Sequence, residues 1–168
     1  MEERAEILDL LRENARYSTA DLARMTGTTE EAVEAAIAEL EDAGVIRGYQ
    51  AVVDWDRAER ASAASGDRVH AVVECNVTLD RETGYDDIAD RLAGFPDVQS
   101  LRLMSGDYDF AIEVEGTSMS EVSRFVSEKV APVPEITQTV THYVMETYKE
   151  AGHRFDDGYD DDRLSVTP

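Results

Sequence analysis

The stretch "DVQSLRLMSGDYDFAIEVEG" (97–116) decides the fold of the second half of the chain. On each side of a short polar centre, apolar and polar residues alternate, which is the pattern of two β-strands. The centre holds Gly106 and Asp107, and residues of these types favour a tight turn between antiparallel strands. We therefore predict a β-hairpin that bends near Gly106 and Asp107.

A strand and a helix precede this hairpin. In "VHAVVECNVTL" (69–79) every second residue falls on one apolar face, which carries Val69, Ala71, Val73, Cys75, Val77 and Leu79. The segment "GYDDIADRLAGF" (84–95) has helical spacing, with Ile88 and Leu92 facing inward.

A helix and a strand follow the hairpin. The segment "SMSEVSRFVSEKV" (118–130) is amphipathic, and its predicted inward residues are Met119, Val122, Phe125 and Val126. The segment "EITQTVTHYVMETYK" (135–149) is rich in Thr, Val and Tyr, which favours one long final strand. The order β-α-β-β-α-β predicts a ferredoxin-like sandwich, an α+β fold with its helices on one face of an antiparallel sheet. The apolar character of the last strand indicates that a second subunit covers the other face.

The first part of the chain has the helical periods and caps of a winged helix-turn-helix. The first helix places on one face Ile7, Leu8 and Leu11. Two further helices are predicted to begin with capping boxes, Ser18 with Asp21 and Thr28 with Glu31. Gly44 ends the third helix, whose core stripe is Val33, Ile37 and Leu40. The segment "VIRGYQAVVD" (45–54) then has strand character and would form the wing.

Composition divides the chain into four predicted segments. Residues 1–54 form the winged helix-turn-helix, and residues 55–67, rich in Ala, Ser and charge, form a linker with some helical character. Residues 68–150 form the sandwich, and residues 151–168 form an acidic, disordered tail. The "DDGYDDD" run in that tail lacks the spacing and the closing Glu of a calcium loop, so we predict no metal site there.

The charge of the chain bears directly on its partners. There are 37 acidic and 16 basic residues, a net charge of −21, and only two of the basic residues are lysines. Such a balance is unusual for a protein that contacts phosphates. The acid is spread along the whole chain, which favours adaptation to a salt-rich cytoplasm, as in a halophilic archaeon, over one local acidic function.

The sequence offers little for catalysis, cofactors or metal binding. Cys75 is the only cysteine and alternates with apolar residues, so we expect a buried thiol. His70, His142 and His153 share no ligand spacing, and no glycine-rich phosphate loop occurs. The N-terminus does not have the pattern of a signal peptide, and no apolar run approaches the roughly 20 residues of a membrane span. We therefore predict a cytoplasmic protein that is not an enzyme.

A small winged helix followed by a β-α-β-β-α-β domain resembles the Lrp/AsnC (feast–famine) family of bacterial and archaeal transcription regulators. The likeness covers nearly all of residues 4–150, and it rests on "ILDLLRENARYSTADLARMTG", "LEDAGVIRGYQAVVD", "SGDYDF" and "TVTHYVMETYK". It implies sensor domains that pair sheet to sheet as homodimers, which often assemble into higher oligomers. It also implies small effectors, often amino acids, held between those domains.

The resemblance places the effector site at the hairpin bend and the last strand. On this chain the family's loop and its T-x-T pattern fall on Met104, Ser105, Gly106, Asp107, Tyr108, Asp109, Thr139 and Thr141. A carboxylate such as Asp107 or Asp109 suits the ammonium of an amino acid, and backbone N–H groups at a glycine turn suit its carboxylate. The alternative is structural: Gly106 allows the turn, and Asp109 caps local backbone N–H groups.

DNA binding would fall to the third helix, yet that helix is acidic and lacks the arginine that the family usually has at the position matching Ala36. Small side chains on its exposed face could contact thymine methyl groups while arginines at the margins contact phosphates. The residues predicted to face DNA are Arg16, Arg24, Thr28, Glu30, Glu31, Glu34, Ala35, Ala38 and Arg47.

Two functions remain open. The first is a regulator of metabolic genes that binds DNA weakly per subunit and depends on multivalency. The second is an effector-sensing oligomeric module without sequence-specific DNA binding, acting through a protein partner. The siroheme decarboxylases have a similar two-part architecture, but their polycarboxylate substrate would need basic side chains in a cleft that is mostly acidic here.

Overall fold

The chain divides into two compact units, Met1–Val53 and Asp54–Pro168. The structure is a computed structural model that describes residues 2–61 and 68–155. Part of the predicted linker, 62–67, and most of the predicted tail, 156–168, lie outside the described residues.

Three helices form the first unit: α1 (Glu2–Glu13), α2 (Thr19–Thr26) and α3 (Glu30–Asp42). Their shared core buries Ile7, Leu22, Ala23, Val33 and Ala36. The capping box at Ser18 is confirmed, because the Ser18 hydroxyl accepts the Asp21 N–H at 3.1 Å and the Asp21 carboxylate accepts the Ser18 N–H at 3.4 Å. Gly27 ends α2 in the left-handed conformation, at φ +72°, which lets the chain turn sharply into α3.

Two details of the first unit differ from the prediction. The cap of α3 is Thr29, whose hydroxyl accepts the Ala32 N–H at 3.2 Å. Thr28 is one residue too early for this role, because α3 begins at Glu30 and its N-cap is the residue directly before it. The segment 45–54 forms no strand, since it meets no neighbouring strand among the residues described and a strand needs a hydrogen-bonded partner.

The second unit opens with a short helix, α4 (Trp55–Arg60), and continues as the predicted β-α-β-β-α-β order. Its elements are β1 (Val69–Val77), α5 (Tyr85–Ala93), β2 (Val98–Leu103), β3 (Phe110–Gly116), α6 (Met119–Phe125) with a π-helical turn (Val126–Val130), and β4 (Ile136–Tyr143). The sheet is antiparallel with the strand order β2-β3-β1-β4, so the predicted ferredoxin-like sandwich is confirmed.

Both long helices of this unit pack on one face of the sheet. The core there buries Val73, Cys75, Ile88, Leu92, Phe110, Ile112, Val114, Phe125, Val126 and Val130. Two predicted inward residues are exposed instead: Met119 lies on the first turn of α6, and Leu79 lies beyond the end of β1. The opposite face, called the open face below, carries His70, Val72, Glu74, Asn76, Ala111, Glu113, Glu115, Gln138, Val140 and His142.

The final strand is shorter than predicted. Tyr143 pairs with Ala71, and the N–H of Val144 still reaches the carbonyl of His70, but β1 begins at Val69 and offers little beyond that point. The chain instead forms a small ribbon between β5 (Lys149–Glu150) and β6 (His153–Arg154). Among the described helices, none combines the length and the apolar character that a bilayer crossing requires.

Candidate effector cavity and DNA interface

Asp109 lies at the end of the hairpin bend and joins three parts of the second unit. Its carboxylate accepts the backbone N–H of Val77 at 2.9 Å and the hydroxyl of Tyr85 at 3.1 Å. Its own N–H donates to the carbonyl of Cys75 at 2.9 Å. The hydrogen bond to the Asp109 carboxylate raises the pKa of the Tyr85 phenol, so this phenol is a protonated donor at neutral pH. These partners match the structural alternative for Asp109.

A cavity of about 150 Å³ lies beside this bend, at the open face. It is lined by Glu74, Asn76, Asp107, Tyr108, Gln138 and Val140. The β1–β4 register brings four of these residues together, because Glu74 pairs with Val140 and Asn76 pairs with Gln138. The lining is rich in oxygen acceptors and holds two carboxylates, which is the chemistry that receives an ammonium group.

Of the residues that the sequence assigned to the effector, the structure brings only Asp107 and Tyr108 into this cavity. Met104, Ser105 and Gly106 are exposed in the bend, and Gly106 has φ +138°, which favours glycine. Thr139 pairs with Cys75 and Thr141 pairs with Val73, so both threonines share the helix-covered face with those core residues.

The lining residues Glu74, Asn76, Gln138 and Val140 were missed because the family pattern draws attention to the T-x-T positions. The signal that could have found them is the period of two in a strand. Glu74 and Asn76 alternate with core residues of β1, so they belong to the open face, and their β4 partners belong there too.

The open face carries charge pairs as well as apolar groups. Glu113 pairs with Arg102 at 2.6 Å, Glu115 pairs with Arg68 at 2.5 Å, and His142 Nε2 lies 3.2 Å from Glu74. On the other face, burial raises the pKa of the Cys75 thiol to about 12, so this buried cysteine is a protonated core residue. No group of three or more His, Cys, Asp or Glu residues suited to a metal ion occurs within 2–61 and 68–155.

The predicted DNA-facing surface of α3 is exposed in the first unit. Its exposed members are Glu30, Glu31, Glu34, Ala35 and Ala38, and Thr28 is half-buried just before the helix. Hydrogen bonds to its own backbone N–H and to the Thr29 side chain lower the pKa of Glu31, so this carboxylate is ionised. Ala36 is buried in the core of this unit. The position where the family usually has an arginine is therefore not part of the exposed surface of α3 in this chain.

The arginines of this unit differ in their partners. Arg24 pairs with Asp21 at 2.9 Å, Arg12 lies 3.7 Å from Asp9, and Arg4 pairs with Glu39. Arg16 and Arg47 are exposed, and neither side chain pairs with a carboxylate among the described residues. The guanidinium groups of Arg16 and Arg47 are therefore the ones best placed to contact phosphates.

The two units match two known domain families. Residues 4–47 match the winged helix-turn-helix DNA-binding family, and residues 70–153 match the Lrp/AsnC ligand binding domain. A DNA-binding winged helix and an Lrp/AsnC ligand binding domain on one chain identify a transcription regulator of the effector-responsive class.

The uncharacterized HTH-type transcriptional regulator YugG of Bacillus subtilis is 37% identical over 167 residues, covering 99% of this chain and 98% of that protein. The chain belongs to the Lrp/AsnC family. Because that relative is bacterial, the predicted origin in a halophilic archaeon gains no support from it.

Solved structures share this fold. AsnC of E. coli is 21% identical with a TM-score of 0.64, over 89% of this chain and 95% of that one. The Neisseria meningitidis regulator NMB0573, in complex with L-Met, is 21% identical with a TM-score of 0.66, over 89% of this chain and 92% of that one.

Proposed function

We propose that this regulator controls metabolic genes and that its sensor domain binds an amino-acid effector in the cavity beside the hairpin bend. The observation that carries the proposal is the position of Asp107 and Tyr108, which belong to the family's effector loop and also line that cavity. The Neisseria neighbour bound to L-Met and a 23% identical leucine-responsive regulatory protein from Haemophilus influenzae support an amino acid as the ligand class.

Each group of the effector has a suitable partner in this cavity. The carboxylates of Asp107 and Glu74 receive the ammonium, and the side-chain amides of Asn76 and Gln138 offer N–H donors to the carboxylate. Asp109 holds the bend in position through its hydrogen bond to the Val77 N–H of β1, and so positions Asp107 and Tyr108. Thr139 and Thr141, on the opposite face, act through the position of β4.

The proposed DNA contacts combine the exposed face of α3 with arginines at its margin. Ala35 and Ala38 offer a small apolar surface to thymine methyl groups, and Arg16 and Arg47 contact phosphates. Carboxylates on the same face repel phosphates, so each subunit binds weakly and the assembly supplies affinity through several sites.

The sensor domains form a homodimer through the open face, and these dimers assemble into higher oligomers. The apolar residues Val72, Ala111 and Val140 lie on this face, which the helices of the same subunit do not cover. Charged residues alternate with them in the register, so the interface combines apolar contacts with ion pairs.

The acidic surface fits a cytoplasm rich in salt, where repulsion among the charges that make up the net −21 is screened. We expect the thermal midpoint of unfolding to rise steadily from 0.1 M to about 2 M KCl, because the screening length falls from about 10 Å to below 3 Å. A midpoint that stays constant over this range would argue against adaptation to salt.

Capture of genomic DNA fragments tests the function directly. The full chain is incubated with sheared genomic DNA in about 2–3 M KCl, where the screening length is below about 3 Å. Enrichment of discrete promoters supports the proposal. A uniform background instead supports the second function, an effector-sensing module that acts through a protein partner.

A further inference from the structure

Arg68 connects the short helix α4 to the open face of the sheet. Its guanidinium carbon lies 3.9 Å from the centroid of the Trp55 ring, at the start of α4. Its terminal nitrogen lies 2.5 Å from the carboxylate of Glu115, which belongs to β3. One side chain therefore contacts both elements.

Arginine is suited to this double contact. Its planar guanidinium stacks on an aromatic ring while its edge donates hydrogen bonds to a carboxylate. Glu115 is opposite His70 in the β1–β3 register, so the contact joins α4 to the end of the two central strands. Neither side chain of the ion pair is fully exposed, at 42% for Arg68 and 32% for Glu115.

The position of α4 in the chain gives the contact its consequence. The boundary between the two compact units falls between Val53 and Asp54, directly before Trp55. Whatever fixes α4 also fixes the point at which the chain leaves the sensor unit for the DNA-binding unit.

We propose that Arg68 is a positioning residue that fastens α4 to the sensor sheet and so sets where the DNA-binding unit is attached. The inference rests on the proposed function, since attachment matters only if paired units bind DNA together. With α4 fastened, an oligomer presents its DNA-binding units from fixed points, and two weak contacts act on one fragment. With α4 released, the attachment points vary and the second contact forms at a lower effective concentration.

Fluorescence tests the fastening, because Trp55 is the only tryptophan of the chain. An exposed cation–π contact changes the equilibrium between docked and released α4 by a factor of about two to five. We therefore expect Arg68→Gln to shift Trp55 emission to the red and to increase quenching by acrylamide. The matched control is Arg102→Gln, which removes an ion pair of the same face, to Glu113 at 2.6 Å, without an aromatic contact. Equal quenching in the parent and in Arg68→Gln overturns the proposal, as does an equal increase in the control.

The same variants then enter the capture experiment with genomic DNA. We expect Arg68→Gln to lose about two- to fivefold of the promoter enrichment for each subunit whose α4 must stay docked, while keeping its background binding, because the loss cannot exceed the change in the docking equilibrium. Arg102 lies on the same proposed interface, so any loss in Arg102→Gln measures the effect of one missing ion pair on that face. Arg68→Gln should lose more than this control, and equal losses overturn the positioning role. Unchanged enrichment with released Trp55 overturns the positioning role. Absence of enrichment in the parent contradicts the proposed function instead, and the fluorescence result still decides whether Arg68 holds α4.

Discussion

Asp109 illustrates, at the scale of one residue, how a motif position can have a role different from the one its family suggests. The family resemblance assigns Asp109 to the effector loop, where its carboxylate could receive the ammonium of an amino acid. In the structure its carboxylate already accepts the Val77 N–H and the Tyr85 hydroxyl. We now expect Asp109→Ala to lower the free energy of unfolding by about 1–3 kcal/mol, because it leaves a half-buried N–H without its acceptor.

Chemical denaturation measures this change, and Asp107→Ala is the control because Asp107 is an exposed neighbour in the same bend. The two variants should differ: Asp109→Ala loses stability, and Asp107→Ala loses effector binding with nearly unchanged stability.

The pH dependence of stability follows from Tyr85. Because the hydrogen bond to Asp109 raises the Tyr85 pKa, it stabilises the fold fully below the ordinary tyrosine pKa of about 10, and this stability is lost as pH rises through the raised pKa. Equal stability of both variants at neutral pH would show that Asp109 does not hold the bend.

At the scale of an element, the third helix shows which structural features can be predicted from a short segment of sequence alone. Its existence, its core residues Val33 and Leu40, and its stop at Gly44 could be predicted because they depend on spacing within one segment. The sequence did not decide between Thr28 and Thr29 as the cap, because both are good cap residues and the choice depends on the exact residue at which the helix begins. Whether the wing segment 45–54 forms a strand could not be decided from its own sequence either, because a strand needs a second segment that offers hydrogen bonds.

A pair of threonine variants tests the cap. Thr29→Ala removes the acceptor of the Ala32 N–H and should lower the free energy of unfolding of the first unit by about 1 kcal/mol. Thr28→Ala changes the neighbouring residue without removing that bond, so it should cost much less. Far-UV circular dichroism during denaturation follows the helices. A larger loss of stability for Thr28→Ala than for Thr29→Ala would show that Thr28 is the cap, as the sequence indicated.

The orientation of the same helix toward DNA is tested by reversing one charge. Glu34 is exposed on α3, so Glu34→Arg should tighten non-specific DNA binding in dilute salt by about threefold or more, through one added phosphate contact. Glu128→Arg makes the same change in net charge on the sensor unit, where Glu128 is also exposed. Fluorescence anisotropy of labelled duplex DNA compares the two. If both variants gain the same affinity for DNA, the change in net charge explains the effect, and α3 does not contact the duplex.

At the scale of the whole molecule, the sequence predicted the three helices of the first unit and the β-α-β-β-α-β order of the second, while the composition of the open face followed from the register. The alternation of β1 predicts its two faces, but only pairing shows that Glu74 meets Val140 and that Glu113 lies beside Val72. The open face is thus a mixture of apolar residues and ion pairs, whereas the sequence drew attention only to the apolar character of the last strand. A mixed face of this kind suits an interface that combines apolar contacts with complementary charges.

Assembly through this face is tested by one substitution on each side of the sheet. In a two-fold dimer, Val140→Arg places a charge from each copy in the same contact, so the dissociation constant should rise by about tenfold or more. Met119→Arg is the control, because Met119 is more exposed than Val140, at 52% against 39%, and lies on the helix side. Sedimentation velocity at micromolar concentration in about 2 M KCl, with repulsion screened, should show dimers for the parent and for Met119→Arg and monomers for Val140→Arg. Dissociation by Met119→Arg alone would place the interface on the helices, and the cavity beside the hairpin bend would then face solvent rather than a second subunit.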